Sequence, residues 1–573
     1  MKINKKRGLL ASVGALVTAV ALALGGAATA QAAPTIPPTG STANLHITKL
    51  STPATPGAAA DGRQVATQDL PTGAVPIEGV TFSAKRATSY TPSGGGAAVS
   101  LDLSTNAGWQ AAGKLHFNAA AGTWHDAATM LPASVVTVAF DAATTGTTNA
   151  LGVPMNGGSP AFQNLPIGLY QVNETGAPGG VTPAVPFAVT LPMTNPSDLN
   201  AWMHDVYVYP KNAKTGITKS VKDAGLKYQA GGASALVDWT ILTDVPRIPG
   251  ADAGTWANPT SFVISDDIEA RLMVKTVAVS IVDADGTSNA QSLTSPNDYT
   301  LATSVPSTVA GEDVIVTFTS AGLGKLGTNA ATTGRKVKVD INTQVQAGVN
   351  GVIAAPLDAN GNAIITNGAT VTTNGGQPLA IDEGAKPQTV WRNNSFVKKN
   401  QSAANLAGAE FQVFATKAYA ESGSAANSLL IAQAPATSAA TTGVVTLGGL
   451  IRSDVIDGAQ LSTAAGHADL VKLRVYWLTE TKAPVGYELL ARPIPFVVLA
   501  DGLHQVDVNA AGEVTAITQT ALTDITNVKH NAGFTLPLTG GMGTAILTIG
   551  GIAILAIVLI VARRRRDTEA NAE

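Results

Sequence analysis

Two glutamates occupy equivalent positions in two similar segments of the chain. Glu480 lies in Tyr476–Tyr487, YWLTETKAPVGY, and Glu174 lies in Tyr170–Val181, YQVNETGAPGGV. Because side chains alternate along a strand, each glutamate shares a face with the Tyr and the Leu or Val before it. A strand glutamate usually faces solvent on an edge strand, since carboxylates are rarely buried without a partner. The repetition favours instead two inward-facing carboxylates that are available for acid–base chemistry.

The two segments also continue alike. Each ends at a turn containing Pro and Gly and resumes as an apolar strand, Phe187–Val189 in one case and Pro495–Val498 in the other. This recurrence predicts related β domains at the two ends of the chain.

A lysine and an asparagine accompany Glu480 in the sequence. Lys398 and Lys399 follow the apolar pair Phe396 and Val397, and Asn527 lies in a late apolar segment, ITNV. Together with the glutamate box, this pattern resembles the Cna B-type, immunoglobulin-like domains of Gram-positive surface proteins. The resemblance implies a spontaneous isopeptide bond between Lys398 and Asn527, assisted by Glu480. Lys399 is the adjacent alternative, but the pleat that buries Phe396 favours Lys398.

The implied reaction is physically reasonable. Burial lowers the pKa of a lysine amine and raises that of a carboxyl group, so the pair can share a proton. The neutral amine can then attack a carboxamide whose oxygen the protonated acid polarises, and ammonia leaves. The chain contains no cysteine, so such a cross-link would take the place of disulfides in an exported protein.

The resemblance extends to two further sets of residues. In the middle of the chain, relatives place an aspartate on an alternating apolar strand, and Phe262, Ile264 and Asp266 share one face in this way. For the middle domain, the resemblance implies an isopeptide bond formed by Lys219 and Asn367 with Asp266 as the acid, and Asn342 is the alternative asparagine. For the N-terminal domain, it implies the lysine Lys49, the acid Glu174 and the asparagine Asn212.

The segment before Asn212 carries a different signal. Trp202–Lys211 reads WMHDVYVYPK and resembles the pilin motif of sortase-built pili. Val206, Val208 and Trp202 would hold a strand on the core, and Pro210 would release the chain so that Lys211 is presented. The resemblance implies that the Lys211 amine attacks a sortase–pilin acyl-enzyme. A single solvated lysine is the alternative, which the interdomain position disfavours.

The C-terminal sequence indicates the carboxyl group to which the Lys211 amine would be joined. Leu536, Pro537, Leu538, Thr539 and Gly540 are followed by the apolar stretch 542–562 and by four arginines. Such a stretch is long enough for a transmembrane helix, and the basic tail stays cytoplasmic. The order of these parts resembles the cell-wall sorting signal, which implies cleavage between Thr539 and Gly540. A basic, then apolar, N-terminus predicts a cleaved signal peptide over residues 1–32.

The remaining chain is too long for a single core. Abundant Gly, Pro, Thr and Val without long helical patterns predict an all-β protein, and the resemblance implies three tandem immunoglobulin-like (Cna B-type) sandwiches. The predicted divisions are 33–210 for the N-terminal domain, 211–385 for the middle domain, 386–530 for the C-terminal domain and 531–573 for the sorting signal.

The expected function is that of a shaft subunit of a covalent fimbria on the cell wall. The resemblance implies a pilus-specific class C sortase, a housekeeping sortase, identical subunits, minor pilins, peptidoglycan and surface receptors as partners. A tip or base pilin and a monomeric anchored adhesin are the alternatives. A net charge of −3 gives no basic surface for nucleic acid, and we expect no metal, no cofactor and no turnover enzyme.

Overall fold

The computed structural model describes residues 36–53, 60–250, 255–518, 521–530 and 541–569. The predicted signal peptide and the pentapeptide at 536–540, including Thr539, lie outside the described residues. Three β-rich domains follow one another along the chain, which confirms the all-β fold class.

The N-terminal domain is built around a large, mostly antiparallel sheet in which β12 lies between β3 and β14. Two short mixed sheets complete it, one with the order β11–β1–β17 and one with the order β13–β18–β2. Its strands are β1 Thr42–Ile47, β2 Leu50–Ser51, β3 Thr81–Thr91, β4 Val99–Ser100, β5 His116–Asn118, β6 Thr123–His125, β7 Val135–Phe140, β8 Thr144–Thr148, β9 Pro154–Asn156, β10 Ser159–Pro160, β11 Leu165–Pro166, β12 Gly168–Gly176, β13 Val181–Thr182, β14 Phe187–Leu191, β15 Met193–Asn195, β16 Asp198–Met203, β17 Asp205–Val208 and β18 Lys211–Lys214.

The middle domain packs two five-stranded sheets, with the orders β19–β20–β28–β24–β25 and β26–β27–β23–β30–β31. Strand β23 alternates buried and half-buried residues, so Phe262, Ile264 and Asp266 all face the core. The strands are β19 Ile217–Lys222, β20 Leu236–Asp244, β21 Ile248–Pro249, β22 Trp256–Ala257, β23 Phe262–Asp266, β24 Leu272–Val282, β25 Gln291–Ser292, β26 Tyr299–Leu301, β27 Val314–Phe318, β28 Lys336–Val345, β29 Asn362–Thr366, β30 Thr370–Thr373 and β31 Leu379–Ala380.

The C-terminal domain packs the sheet β29–β32–β35 against the sheet β34–β33–β38–β39–β40–β41; in the first sheet β29 comes from the middle domain and β42 adds to β32. Strand β38, which carries Glu480, therefore lies inside its sheet. The strands are β32 Gln388–Asn400, β33 Glu410–Phe414, β34 Ala436–Thr437, β35 Val444–Ile451, β36 Val455–Ile456, β37 Ala459–Gln460, β38 Tyr476–Lys482, β39 Ile494–Leu499, β40 Gly502–Val508, β41 Val514–Ile517 and β42 Asp524–Asn527.

The middle and C-terminal domains share one continuous apolar core. Strand β32 runs from one domain into the other, because its first half pairs with β29 and its second half with β35 and β42. A buried ion pair also joins the domains, with Arg474 Nη2 2.5 Å from Asp223 Oδ1. The junction between these two domains is thus packed like a domain interior.

Helices are few in the described part of the chain. They are α1 Asn106–Ala112, α2 Ser320–Asn329, α3 Lys417–Ser422 and α4 Gly541–Glu569. Short 3-10 turns lie at Thr67–Asp69, Pro132–Ser134, Val349–Gly351, Glu383–Ala385, Ala425–Asn427, Ile431–Gln433 and Leu470–Lys472. Helix α4 covers the stretch predicted to span a membrane, but among the described residues no helix is both long and apolar enough for a span, so that prediction is not confirmed.

Candidate functional site: three buried lysine–acid–asparagine triads

The C-terminal triad is assembled by a parallel pair of strands. Lys398 on β32 lies opposite Ile525 on β42, and Asn527 follows two residues later on the same face. Lys398 Nζ donates hydrogen bonds to Asn527 Oδ1 at 2.5 Å and to the Ile525 carbonyl at 3.0 Å. Glu480 closes the triad from β38 in the facing sheet, because it accepts two hydrogen bonds from Asn527 Nδ2 at 2.8 and 2.9 Å.

Solvent does not reach this triad, since the side chains of Lys398 and Glu480 are 0% exposed. Burial lowers the pKa of Lys398 to about 8, although Glu480 partly opposes the shift. Burial also raises the pKa of Glu480, against the hydrogen bonds from Asn527 and Leu490 and the charge of Lys398. The alternative lysine, Lys399, points elsewhere and pairs with Asp524 at 2.9 Å.

The N-terminal triad repeats this geometry. Lys49 directly precedes β2, which pairs in parallel with β18, so Asn212 again lies two residues beyond the position opposite the lysine. Lys49 Nζ donates to both Glu174 Oε1 and Asn212 Oδ1, and Asn212 Nδ2 donates to Glu174 Oε2 at 2.7 Å. Burial lowers the pKa of Lys49 to about 8; Glu174 opposes this shift and Lys211 adds to it.

The middle triad is looser. Lys219 Nζ contacts Asp266 Oδ2 at 2.6 Å, but its second hydrogen bond goes to the Gly368 carbonyl at 2.9 Å rather than to Asn367. Asn367 Nδ2 lies 3.5 Å from Asp266 Oδ2. Burial lowers the pKa of Lys219 to about 8 and raises that of Asp266 to about 6. The alternative asparagine, Asn342, is bound to Asp238 on the outer face of its sheet.

The contacts of the acids correct one sequence-based expectation. In all three triads the carboxylate contacts the amide nitrogen of the asparagine, whereas we expected it to polarise the amide oxygen. An acid in this position can pass a proton to the nitrogen that leaves as ammonia. Sequence reasoning also missed the backbone N–H groups of Ala184 and Leu490, each of which donates to the glutamate ten residues earlier, at 3.0 and 2.9 Å.

Lys211 lies next to the N-terminal triad. It is the first residue of β18, which pairs with β2 and β13 of the N-terminal domain, and Asn212 follows it directly. The lysine is half-buried rather than freely presented, and its Nζ donates to the Tyr209 carbonyl at 3.4 Å. Desolvation lowers its pKa, which favours the neutral, nucleophilic amine.

The two valines of the motif hold strand β17 on the core as expected, but Trp202 lies on the neighbouring strand β16. Val206 is fully buried in the N-terminal core, and Val208 packs against that core. Trp202 is half-buried on the hairpin β15–β16 and stacks on Trp109 of α1, with ring centroids 5.0 Å apart. The aromatic partner Trp109 lies outside the motif, so sequence spacing could not identify it.

Three family models match this chain, each in the region expected from the motifs. Residues 40–213 match the Gram-positive pilin subunit D1, N-terminal domain. Residues 393–511 match a prealbumin-like fold domain, and residues 528–569 match the LPXTG cell wall anchor motif.

Full-length relatives decide the family. The fimbrial subunit type 1 of Actinomyces viscosus is 31% identical over 430 residues, which cover 70% of this chain and 73% of the relative. The chain belongs to the family of Gram-positive fimbrial subunits. The fimbrial subunit type 2 of Actinomyces naeslundii is 29% identical over 525 residues, or 87% of this pilin and 85% of that protein.

A solved structure has a similar fold. The full-length major pilin SpaD of Corynebacterium diphtheriae aligns with a TM-score of 0.52 at 23% identity, covering 85% of this pilin and 97% of that chain. The fimbrial relatives and the anchor motif together make this protein a fimbrial pilin and a sortase substrate, located on the cell surface in wall-anchored fimbriae. They do not favour a minor pilin or a monomeric adhesin.

The buried amines of this pilin predict a pH-dependent stability when a triad is left open. In an Asn527→Ala variant, Lys398 keeps a free amine whose pKa of about 8 lies below the ordinary value of 10.5. Between these values the unfolded chain binds more protons, so the free energy of unfolding should rise with pH by at most about 1.4 kcal/mol per unit. Urea unfolding at pH values across this window measures the rise.

The matched control is the double variant Lys398→Met/Asn527→Ala, which has no amine at this position and should lack that part of the rise. If the free energy of unfolding of the single variant rises with pH no more steeply than that of the control, the assignment of a buried Lys398 with a lowered pKa is wrong.

Proposed function

We propose that this pilin is a shaft subunit, joined head to tail through Thr539 of one subunit and Lys211 of the next. A sortase thiolate would attack the Thr539 carbonyl and release the chain that begins at Gly540. The neutral Lys211 amine would then attack the resulting thioester, form an isopeptide bond and regenerate the thiolate. The observation that supports this role most directly is the placement of Lys211, half-buried with a lowered pKa at the start of a strand fixed on both sides.

We also propose that each triad closes into a Lys–Asn isopeptide bond. The carboxylate takes a proton from the lysine ammonium, and the neutral Nζ attacks the asparagine carboxamide carbon. The carboxyl group returns a proton to the leaving nitrogen that it contacts, and further loss of a proton from Nζ to the acid leaves one amide N–H, one ammonia and a neutral acid. The bonds proposed are Lys49–Asn212, Lys219–Asn367 and Lys398–Asn527, assisted by Glu174, Asp266 and Glu480.

In this proposal the protein performs no turnover chemistry, since each bond forms once. A pilus-specific class C sortase would join the subunits, and a housekeeping sortase would transfer the finished fimbria to peptidoglycan. Minor pilins and host or bacterial surface receptors complete the proposed partners, in keeping with a role in adhesion or biofilm formation.

Replacement of Lys211 tests the polymer linkage. Lys211→Ala removes the proposed nucleophile, so the high-mass ladder in cell-wall extracts should disappear while wall-anchored monomer remains. Lys214→Ala is the matched control, because Lys214 is an exposed lysine on the same strand β18. Immunoblots of wall extracts from the three strains provide the measurement. A normal ladder in Lys211→Ala would show that another amine is used.

Replacement of Asp266 tests the internal bond of the middle domain. Asp266→Asn keeps the shape of the side chain and removes the acid, so a proteolytic digest should yield separate peptides containing Lys219 and Asn367. Asp267→Asn, at the exposed neighbouring position, should retain the branched peptide that joins them. Tandem mass spectrometry of both digests distinguishes the results. A branched Lys219–Asn367 peptide in Asp266→Asn would show that this carboxylate is not required.

A further inference from the structure

The loops that follow the two glutamates are structurally equivalent. Pro178–Ala184, here called the junction loop, begins four residues after Glu174, and Pro484–Leu490, here called the tip loop, begins four residues after Glu480. The last backbone N–H of each loop donates to the Oε2 atom of its glutamate. The triad therefore fixes each loop in the same way at the end of its domain.

The junction loop carries the contact between the N-terminal and middle domains. The Gly180 N–H lies 3.4 Å from the Gln377 carbonyl of the middle domain, and the Gly180 carbonyl accepts from the Thr215 N–H at 2.8 Å. Gly179 lies so close to the middle domain that a Cβ at this position would be 2.4 Å from the Pro378 carbonyl oxygen. In this position of the fold, the loop is a docking surface for the next domain along the row.

The tip loop makes the same hydrogen bond to its glutamate, but the residues that the structure describes after it form no further β domain. Val485, the equivalent of Gly179, is 98% exposed, and Leu489 and Val528 are about half exposed beside it. The Glu488 N–H donates to the Val528 carbonyl at 3.0 Å, and the His530 N–H donates to the Gly486 carbonyl at 2.8 Å. An ordered apolar surface thus surrounds the point at which the chain leaves the C-terminal domain.

We propose that the tip loop and Val528 form the docking surface for the N-terminal domain of the next copy of this chain. This inference rests on the proposed Thr539–Lys211 linkage. Thr539 is the ninth residue after His530, and this segment spans at most about 32 Å when fully extended. The next subunit's Lys211 must therefore lie within that distance of the tip loop.

The receiving domain offers apolar surface close to its own lysine. Val75 is half-exposed, and its backbone pairs with Ser51, the residue opposite Asn212 in the β2–β18 pair. Contact between Val485 and this region would pack neighbouring subunits end to end, as the junction loop packs the N-terminal domain on the middle domain within one subunit. It would also stiffen a linkage that otherwise consists of one extended segment.

A single-cysteine experiment tests the docking surface, because the natural chain has no cysteine. Val485→Cys fibres are labelled with a benzophenone maleimide, irradiated and digested, and the cross-linked peptides are identified by mass spectrometry. The matched control is Val471→Cys, at a valine 49% exposed in another turn of the same domain. We expect Val485→Cys to join N-terminal-domain peptides of a neighbouring subunit, and Val471→Cys not to do so.

Three other outcomes overturn the inference, and the first of them separates it from the linkage. If Lys211→Ala abolishes the ladder but Val485→Cys cross-links only within its own subunit, the linkage stands and the docking surface is wrong. Equal cross-linking to the N-terminal domain from Val471→Cys would likewise reject a specific tip contact. A ladder that persists in Lys211→Ala would reject the linkage itself, whatever Val485→Cys contacts.

Discussion

A lysine amine enclosed with a carboxyl group and a carboxamide is the constraint on which each domain of this pilin depends. Charged groups are costly to bury, and here the cost is reduced because each amine lies close to an acid and the asparagine donates a hydrogen bond to that acid. Lys398 and Asn527 come from a parallel strand pair, while Glu480 comes from the facing sheet. The first and last strands of the domain are therefore tied to each other and to the opposite sheet at one point in the core.

The same constraint connects the interior of each domain to its ends. Asn212 belongs to the N-terminal triad and directly follows Lys211, so the strand that holds the amide also fixes the lysine. Glu174 and Glu480 each fix a loop at the end of their domain through one backbone N–H. The middle and C-terminal domains are joined by a shared apolar core and by the Arg474–Asp223 ion pair. Load along a fimbria would thus pass through packed and hydrogen-bonded contacts.

Sequence reasoning was most informative where strand alternation determines which residues are buried. Tyr476, Leu478 and Glu480 share a face because of the period of two, and all three are buried. Alternation could not show which atom of the asparagine the acid contacts, because that depends on strands brought together from distant parts of the chain. Nor could it show that Trp109 stacks on Trp202, or that pairing of β18 would leave Lys211 half-buried. Composition was enough to predict the all-β fold class, whereas these details depend on tertiary packing.

The covalent closure of the triads is the central claim, and the intact mass of the chain tests it most directly. The protein is produced without residues 1–32 and without the segment after Gly540, then weighed by electrospray mass spectrometry under denaturing conditions. Closure of all three triads predicts a mass lower than that of the sequence by three molecules of ammonia. A mass equal to that of the uncorrected sequence would show that the buried amines remain free, and would contradict this account.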